Sequence, residues 1–345
     1  MIIGAGPIGS NTAFRLRELD PLVIESRKTV GFPVHCTGLV SNKLRDLTPY
    51  PDDIILNRVR GARLFSSGKS VTLDAGRVMA DVIDRALYDK WMHERSGADT
   101  VLGEKFLRYE SGSVVTSKRS YKSPLVIDCS GAKSGLLGVQ AVVKLKRELD
   151  FVELHFSDCP GFFAWVVPTG DGFCRVGLAN NDKPMDRLKL FLKKVGAGRV
   201  FEYNAGLIPM YVNDFVFDNF IKCGDSAGQV KAVSGGGLVT GVMSSNVMCD
   251  AVFKSFKRGD WSKNFFVNNY FKPWKKVVGK ELGMHQLARR FLDRCDYDEL
   301  LGFIERNKIL FESKGDMDFL GGLLKSVVKP SNIKFLLKSL LTLWG

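Results

Sequence analysis

The strongest constraint on this chain is a pair of glycine-rich turns: Gly4-Ala5-Gly6-Pro7-Ile8-Gly9 near its start, and Ser234-Gly235-Gly236-Gly237 more than two hundred residues on. Met1-Ile2-Ile3 reads as the tail of an apolar strand, Ser10 to Leu19 as a helix, and Leu22-Val23-Ile24 as a second buried strand ending in Glu25. That order opens a dinucleotide-binding unit, in which the glycines have separate tasks. Gly4 makes the tight turn, Gly6 lets backbone approach a pyrophosphate, and Gly9 lets helix and strand pack closely. Gly4, Gly6, Pro7 and Gly9 are thus candidate cofactor contacts, with the pyrophosphate on the helix N-terminus, where free N–H groups and the dipole favour an anion. Glu25 stands where a ribose 2′- and 3′-hydroxyl pair would donate to it, and its charge argues against a 2′-phosphate. Only three residues precede Gly4, so the first strand lacks its usual N-terminal half, which suggests that Met1 is not the true start.

The second turn selects the nucleotide. A nicotinamide dehydrogenase has no use for another nucleotide motif near residue 225. Here Phe220-Ile221-Lys222-Cys223 reads as a strand running into Gly224-Asp225, and Gly235, Gly236 and Gly237 open a helical segment from about Leu238 to Phe256. A strand ending in Gly-Asp offers its carboxylate to ribityl hydroxyls, while the helix N-terminus can face the N1 and O2 edge of a flavin. FAD is therefore the expected cofactor.

Several further segments resemble, in order, the FAD-dependent geranylgeranyl reductase family (digeranylgeranylglycerophospholipid reductase-like), over roughly residues 1 to 285. Val30-Gly31-Phe32-Pro33-Val34-His35-Cys36-Thr37-Gly38 looks like the family's loop after the second strand, with Cys36 as its cysteine beside the flavin. Val82-Ile83-Asp84-Arg85-Ala86-Leu87-Tyr88-Asp89 resembles the helix whose arginine contacts FAD, here Arg85, and Leu125 to Gly131 resembles the strand and turn that pass the adenosine. Phe163-Ala164-Trp165-Val166-Val167-Pro168-Thr169-Gly170 is similar to the family's Tyr-x-Trp-x-Phe-Pro-x-Gly segment, with Phe163 for tyrosine and Val167 for phenylalanine. The resemblance implies an α/β chain: a Rossmann-like FAD-binding fold with an inserted antiparallel-sheet substrate domain and a helical C-terminal region. It implies that Phe163, Trp165, Val167, Pro168 and Gly170 line an apolar substrate cavity. It also implies saturation of isolated C=C bonds in geranylgeranyl chains of archaeal-type membrane lipids, with a prenyl lipid substrate and an electron donor such as ferredoxin or NAD(P)H. The rival on the same fold is an FAD-dependent aromatic hydroxylase or halogenase.

The expected FAD-binding domain is discontinuous, 1–57, 76–140 and 206–257; 58–75 and 141–205 form the substrate sheet, where alternation predicts strands over 61–73 and 144–179. Residues 258–345 form the helical, basic C-terminal region. Plainer readings stand beside the functional ones. Trp165 on an alternating strand is also an ordinary core aromatic, and Cys36 a small apolar residue under the flavin rather than a gate. Cys36 and His35 are the catalytic candidates. No histidine or cysteine spacing suggests a metal or iron–sulfur site, and seven unclustered cysteines fit a reducing cytosol.

The net charge of +13 attracts anions, and its densest stretch runs from Lys254 to Arg290. A solvated helix face and an anionic membrane surface both account for it, whereas no nucleic-acid module accompanies it. No apolar run reaches the roughly eighteen residues that span a bilayer. Asn332 to Trp344 reads as a helix carrying Lys334 and Lys338 on an otherwise apolar surface, either docked on the protein or lying in a membrane interface. The expectation is a cytoplasmic protein, peripheral on the inner face of the cell membrane.

Overall fold

The computed structural model describes residues 1–159, 161–327, 329 and 332. The chain divides into two compact units, one of residues 1–34, 85–135 and 208–282, the other of 35–84, 136–207 and 283 onward. These limits differ from the expected ones. Residues 35–57 and 76–84 belong to the second unit because Leu39–Ser41, Ala80–Ile83 and Ile55–Val59 pair with one another in a three-stranded sheet.

The first unit is built on a six-stranded sheet in the order Val216–Phe217, Phe220–Lys222, Val126–Asp128, Ile2–Ile3, Val23–Ile24, Thr100–Val101. All neighbours are parallel except the first pair. Such strands are buried on both faces and must be apolar, as Ile2, Ile3, Val23, Ile24, Val126, Ile127 and Ile221 are. The first crossover helix spans Pro7–Arg15, starting earlier than the sequence suggested because proline suits a first helical turn. It ends before a separate short turn, Arg17–Leu19. The long helix Leu238–Arg258 packs against it and closes on Gly259 at φ 65°. Asn11 Nδ2 donates to Ser245 Oγ at 3.1 Å, and the Thr12 and Ser245 hydroxyls pair at 2.9 Å.

The basic stretch after this helix folds back onto the same core. Phe266, Tyr270, Trp274, Val278 and Leu282 recur every fourth residue, and all are buried. Four residues of α-helix turn about 400°, so a stripe of this spacing drifts roughly 40° per step off the core. Two π-helical segments, Val267–Phe271 and Lys275–Gly279, widen the turn and hold the five side chains on one face. Gln229 Nε2 donates to the Tyr270 hydroxyl at 2.9 Å, and Trp274 Nε1 to Ser244 Oγ at 2.9 Å.

The second unit centres on a seven-stranded sheet ordered Val200–Ile208, Leu136–Lys144, Phe173–Ala179, Ala164–Gly170, Val152–His155, Gly61–Phe65, Ser70–Asp74. From Leu136–Lys144 to Ser70–Asp74 the neighbouring strands are antiparallel, except Val152–His155 with Gly61–Phe65, which run parallel. Among the described residues no helix is long and apolar enough to cross a membrane. The segment read as an amphipathic helix over 332–344 lies outside the described residues, Asn332 excepted.

Candidate functional site

In the first unit the three glycines of the opening turn differ in what a side chain would meet. Gly4 has φ +96°, and a Cβ there would lie 2.6 Å from the Cys129 carbonyl oxygen. A Cβ on Gly9 would come within 1.9 Å of the Gly4 oxygen, so helix and turn meet at backbone contact. At Gly6 a Cβ would meet nothing within 4 Å. The space above Gly6 is therefore open to an incoming group, and the Pro7–Arg15 helix starts there with no side-chain cap and no acid in its first turn. Those N–H groups can take an anion such as pyrophosphate.

Ile8, which the motif leaves undefined, joins the opening turn to the Gly224 strand end and to the Leu238–Arg258 helix: Cβ atoms on Gly224 and Gly241 would stand 3.0 and 2.7 Å from its side chain. The second run is glycine for the protein's own sake. A Cβ on Gly236 would lie 3.2 Å from Lys231 Nζ, and one on Gly237 2.8 Å from Asp225 Oδ1. Gly235, at φ +72°, closes the loop by donating to the Lys231 carbonyl at 2.8 Å. Lys231 is buried, a position sequence reasoning passed over because nothing in its neighbours marks it.

Glu25 sits at the end of its strand as expected, but its carboxylate already serves the turn. Ala5 N donates to Oε2 at 2.8 Å, while Arg27 N at 2.8 Å and Ser26 Oγ at 3.0 Å donate to Oε1. Burial pushes the Asp225 carboxyl up in pKa, and the charge of Arg85 opposes that shift. Arg85 opens the Arg85–Ser96 helix and pairs with Asp89 at 2.9 Å.

In the second unit the strand pairing sets Gln140, Gly177, Trp165 and Leu154 side by side on one face. Trp165 lies flat over Gly177, where a Cβ would stand 2.5 Å from the indole. A glycine inside a strand pattern signals such a close approach, and this one is legible at the sequence level. Phe163 stacks on Phe162 at 4.3 Å and meets Trp165 edge-on at 6.1 Å. Val167 and Pro168 are buried, and Gly170 follows at φ +96° beside a bulge. Trp165 Nε1 is buried without a hydrogen-bond partner, although the ring is otherwise enclosed. Burying a donor unpaired costs about 1–3 kcal/mol, which an acceptor on a bound molecule would relieve.

The loop of His35 and Cys36 is fastened to this same face. Gln140 Nε2 donates to the Cys36 carbonyl at 3.2 Å and its Oε1 accepts from Thr37 Oγ1 at 3.0 Å. Arg175 Nη1 donates to the Thr37 and Ile83 carbonyls at 2.6 and 3.2 Å. Gly38 N points at Cys36 Sγ, 3.4 Å away, and His35 Nδ1 donates to the Ala205 carbonyl. Cys36 thus shares a unit with Trp165, while Gly4 to Gly9, Glu25, Arg85 and Gly224 to Gly237 share the other. Gln140 and Arg175 carried no sequence signal, being polar residues on strands like any others.

No family model matches the chain. It is similar to a digeranylgeranylglycerophospholipid reductase of Methanocaldococcus jannaschii, with 26% identity across 97% of this chain and 96% of the relative. An uncharacterized protein of the same archaeon shows 26% identity across 96% and 95%. Among solved structures, a geranylgeranyl bacteriochlorophyll reductase-like protein from Thermoplasma acidophilum superposes with a TM-score of 0.83 at 19% identity, covering 98% of each chain. A flavin-dependent brominase follows the same fold with a TM-score of 0.71 at 15% identity, covering 98% of this chain and 97% of its own.

Proposed function

We propose that this protein is an FAD-dependent reductase that saturates isolated C=C bonds in geranylgeranyl chains of archaeal-type glycerophospholipids. The observation that carries the reading is the similarity to a digeranylgeranylglycerophospholipid reductase along nearly the whole of both chains. The open space above Gly6 and the uncapped helix behind it suit the pyrophosphate of a dinucleotide. Gly4, Gly6, Pro7 and Gly9 would hold that pyrophosphate, Glu25 the adenosine ribose, Arg85 and Asp225 the ribityl hydroxyls, and Gly235 to Gly237 the pyrimidine edge of the flavin.

Bound FAD, once reduced by a donor such as ferredoxin or NAD(P)H, supplies the hydride. The protein's part is alignment and dryness, since an isolated alkene has no carbonyl to polarise. Phe163, Trp165 and Val167 give an apolar wall that excludes water, and Pro168 and Gly170 set the bend of its strand. Gln140 and Arg175 hold the Cys36 loop against that wall. Cys36 shapes the site in this reading. His35 keeps the Nδ1 proton on a backbone carbonyl, which makes it a structural tie rather than a proton donor through that nitrogen.

The test is anaerobic. Flavin-loaded protein is reduced, given a geranylgeranyl glycerophospholipid, and the product is weighed. Gain of one hydrogen pair per saturated bond is expected; no gain across several prenyl lipids rejects the reading. Substrate-dependent oxygen uptake in air would instead favour a hydroxylase or halogenase. Such a substrate also places the protein at the membrane surface, in peripheral contact.

A further inference from the structure

Val200–Ile208 is the terminal strand of the seven-stranded sheet, and its two sides are unlike. Phe201, Tyr203, Ala205 and Leu207 alternate onto one side and all are exposed, Phe201 and Tyr203 by 49% each and Leu207 by 40%. On the other side Asn204 is buried and donates at 2.6 Å to the carboxylate of Glu202, the one exposed residue of that side. A strand half open to water should be polar on its open side, so this stripe, about 20 Å long at 3.4 Å per residue, is reversed. At its start the stripe joins Phe173, whose ring meets Phe201 edge-on at 5.2 Å. Two exposed cations cap these rings: Arg199 lies 5.3 Å from the Phe201 centroid and Lys144 Nζ 4.7 Å from that of Phe173. None of the four stripe positions is acidic.

We propose that this side of the Val200–Ile208 strand is the surface by which the protein docks on an anionic lipid bilayer. Aromatic rings with an apolar body and Lys or Arg beside them are the side chains that settle at the headgroup boundary. Arg199 and Lys144 would meet lipid phosphate while Phe201, Tyr203 and Leu207 enter the acyl margin. A second copy of the chain, docking symmetrically, would bring a second Arg199 and Lys144 to a stripe whose own four positions carry no acid. The proposal rests on the prenyl-lipid reading only in explaining why the protein would visit a bilayer.

The experiment is flotation of the full-length protein with vesicles of phosphatidylglycerol and phosphatidylcholine, or of phosphatidylcholine alone, with sizing by light scattering alongside. Wild type is expected to float with the anionic vesicles, and less so in high salt. The triple variant F201S/Y203S/L207S should lose about tenfold or more in partition, and K144Q/R199Q should lose the preference for anionic vesicles. Both should keep the wild-type circular dichroism and turnover on detergent-dispersed substrate. Wild type that does not float, or a well-folded triple variant that floats equally, overturns the proposal. So does a dimer in wild type that the triple variant abolishes while its vesicle binding stays the same. Docking through the stripe by a protein that reduces no prenyl lipid would support this surface and reject the reductase reading, so the two fail separately.

Discussion

Gly6→Ala and Gly9→Ala place the same methyl group three residues apart in one turn and should fail in opposite ways. At Gly9 the new Cβ would stand 1.9 Å from the Gly4 carbonyl oxygen, a backbone atom that cannot rotate aside. Helix Pro7–Arg15 must then lift off the turn; overpacking of this kind costs about 1–3 kcal/mol or more, which in a protein of this size lowers Tm by several degrees. At Gly6 the Cβ meets nothing within 4 Å, and φ −68° with ψ 178° suits any residue. The apo protein should lose at most about 1 kcal/mol, the difference between glycine and alanine at a helix N-cap. The methyl group would fill the space a pyrophosphate needs, so FAD should bind at least about tenfold more weakly, or 1.4 kcal/mol. Melting of the apo forms by circular dichroism separates the stability effects, and titration with FAD followed by flavin fluorescence gives the affinities. Gly6→Ala binding FAD as wild type does would refute the phosphate cradle. Gly9→Ala melting as wild type does would refute the backbone contact.

Two further substitutions probe the second unit. Gly177→Ala would set a Cβ 2.5 Å from the Trp165 indole and 2.6 Å from Gln140 Cβ, so it should destabilise by about 1–3 kcal/mol and alter tryptophan emission; an unchanged spectrum and melt would mean the ring does not rest there. Burial pushes the Glu153 carboxyl up, but the paired hydrogen bonds from Arg147 and that from His155 outweigh it and hold it at about 2. Because the folded pKa lies below the unfolded one, this contribution is present above about pH 4.5 and is lost as pH falls toward 2. The shift corresponds to about 3 kcal/mol at most, and to roughly half that once the solvent around Arg147, 45% exposed, is counted. Glu153→Gln should therefore narrow its stability gap to wild type in urea melts as pH drops from 4.5 to 2; a constant gap would refute the assignment.

What was legible in the sequence was local. Gly4, Gly6 and Gly9 announce a turn because their roles depend on neighbours within a few residues, and Glu25 follows from the length of one crossover. The Gly224-Asp225 strand end reads the same way. The unit boundaries did not, since residues 35–57 and 76–84 join the second unit through a three-stranded sheet whose partners lie far apart in the chain. The basic stretch from Lys263 misled for a different reason: its cations dominate the composition, while the core-forming residues stand every fourth position, a period that belongs to neither strand nor plain α-helix. Counting that interval would have marked Phe266 to Leu282 as one buried face of a helical segment. Lys231, Gln140 and Arg175 left no trace, because a buried polar side chain is defined by the partners that three-dimensional pairing brings to it.

The four-residue interval also bears on how this segment can change in length. Its register is kept by the widened turns at Val267–Phe271 and Lys275–Gly279, each of which takes up more chain than an α-turn of equal rotation. Loss of one residue from each would leave anchors spaced by a mixture of threes and fours, the rhythm that an unbroken α-helix of 3.6 residues per turn keeps on one face. Phe266, Tyr270, Trp274, Val278 and Leu282 would stay against the sheet while the ladder relaxed to ordinary i→i−4 bonds. The π turns thus act as slack in the chain, letting residues enter or leave a buried helix without turning its anchored face away from the core.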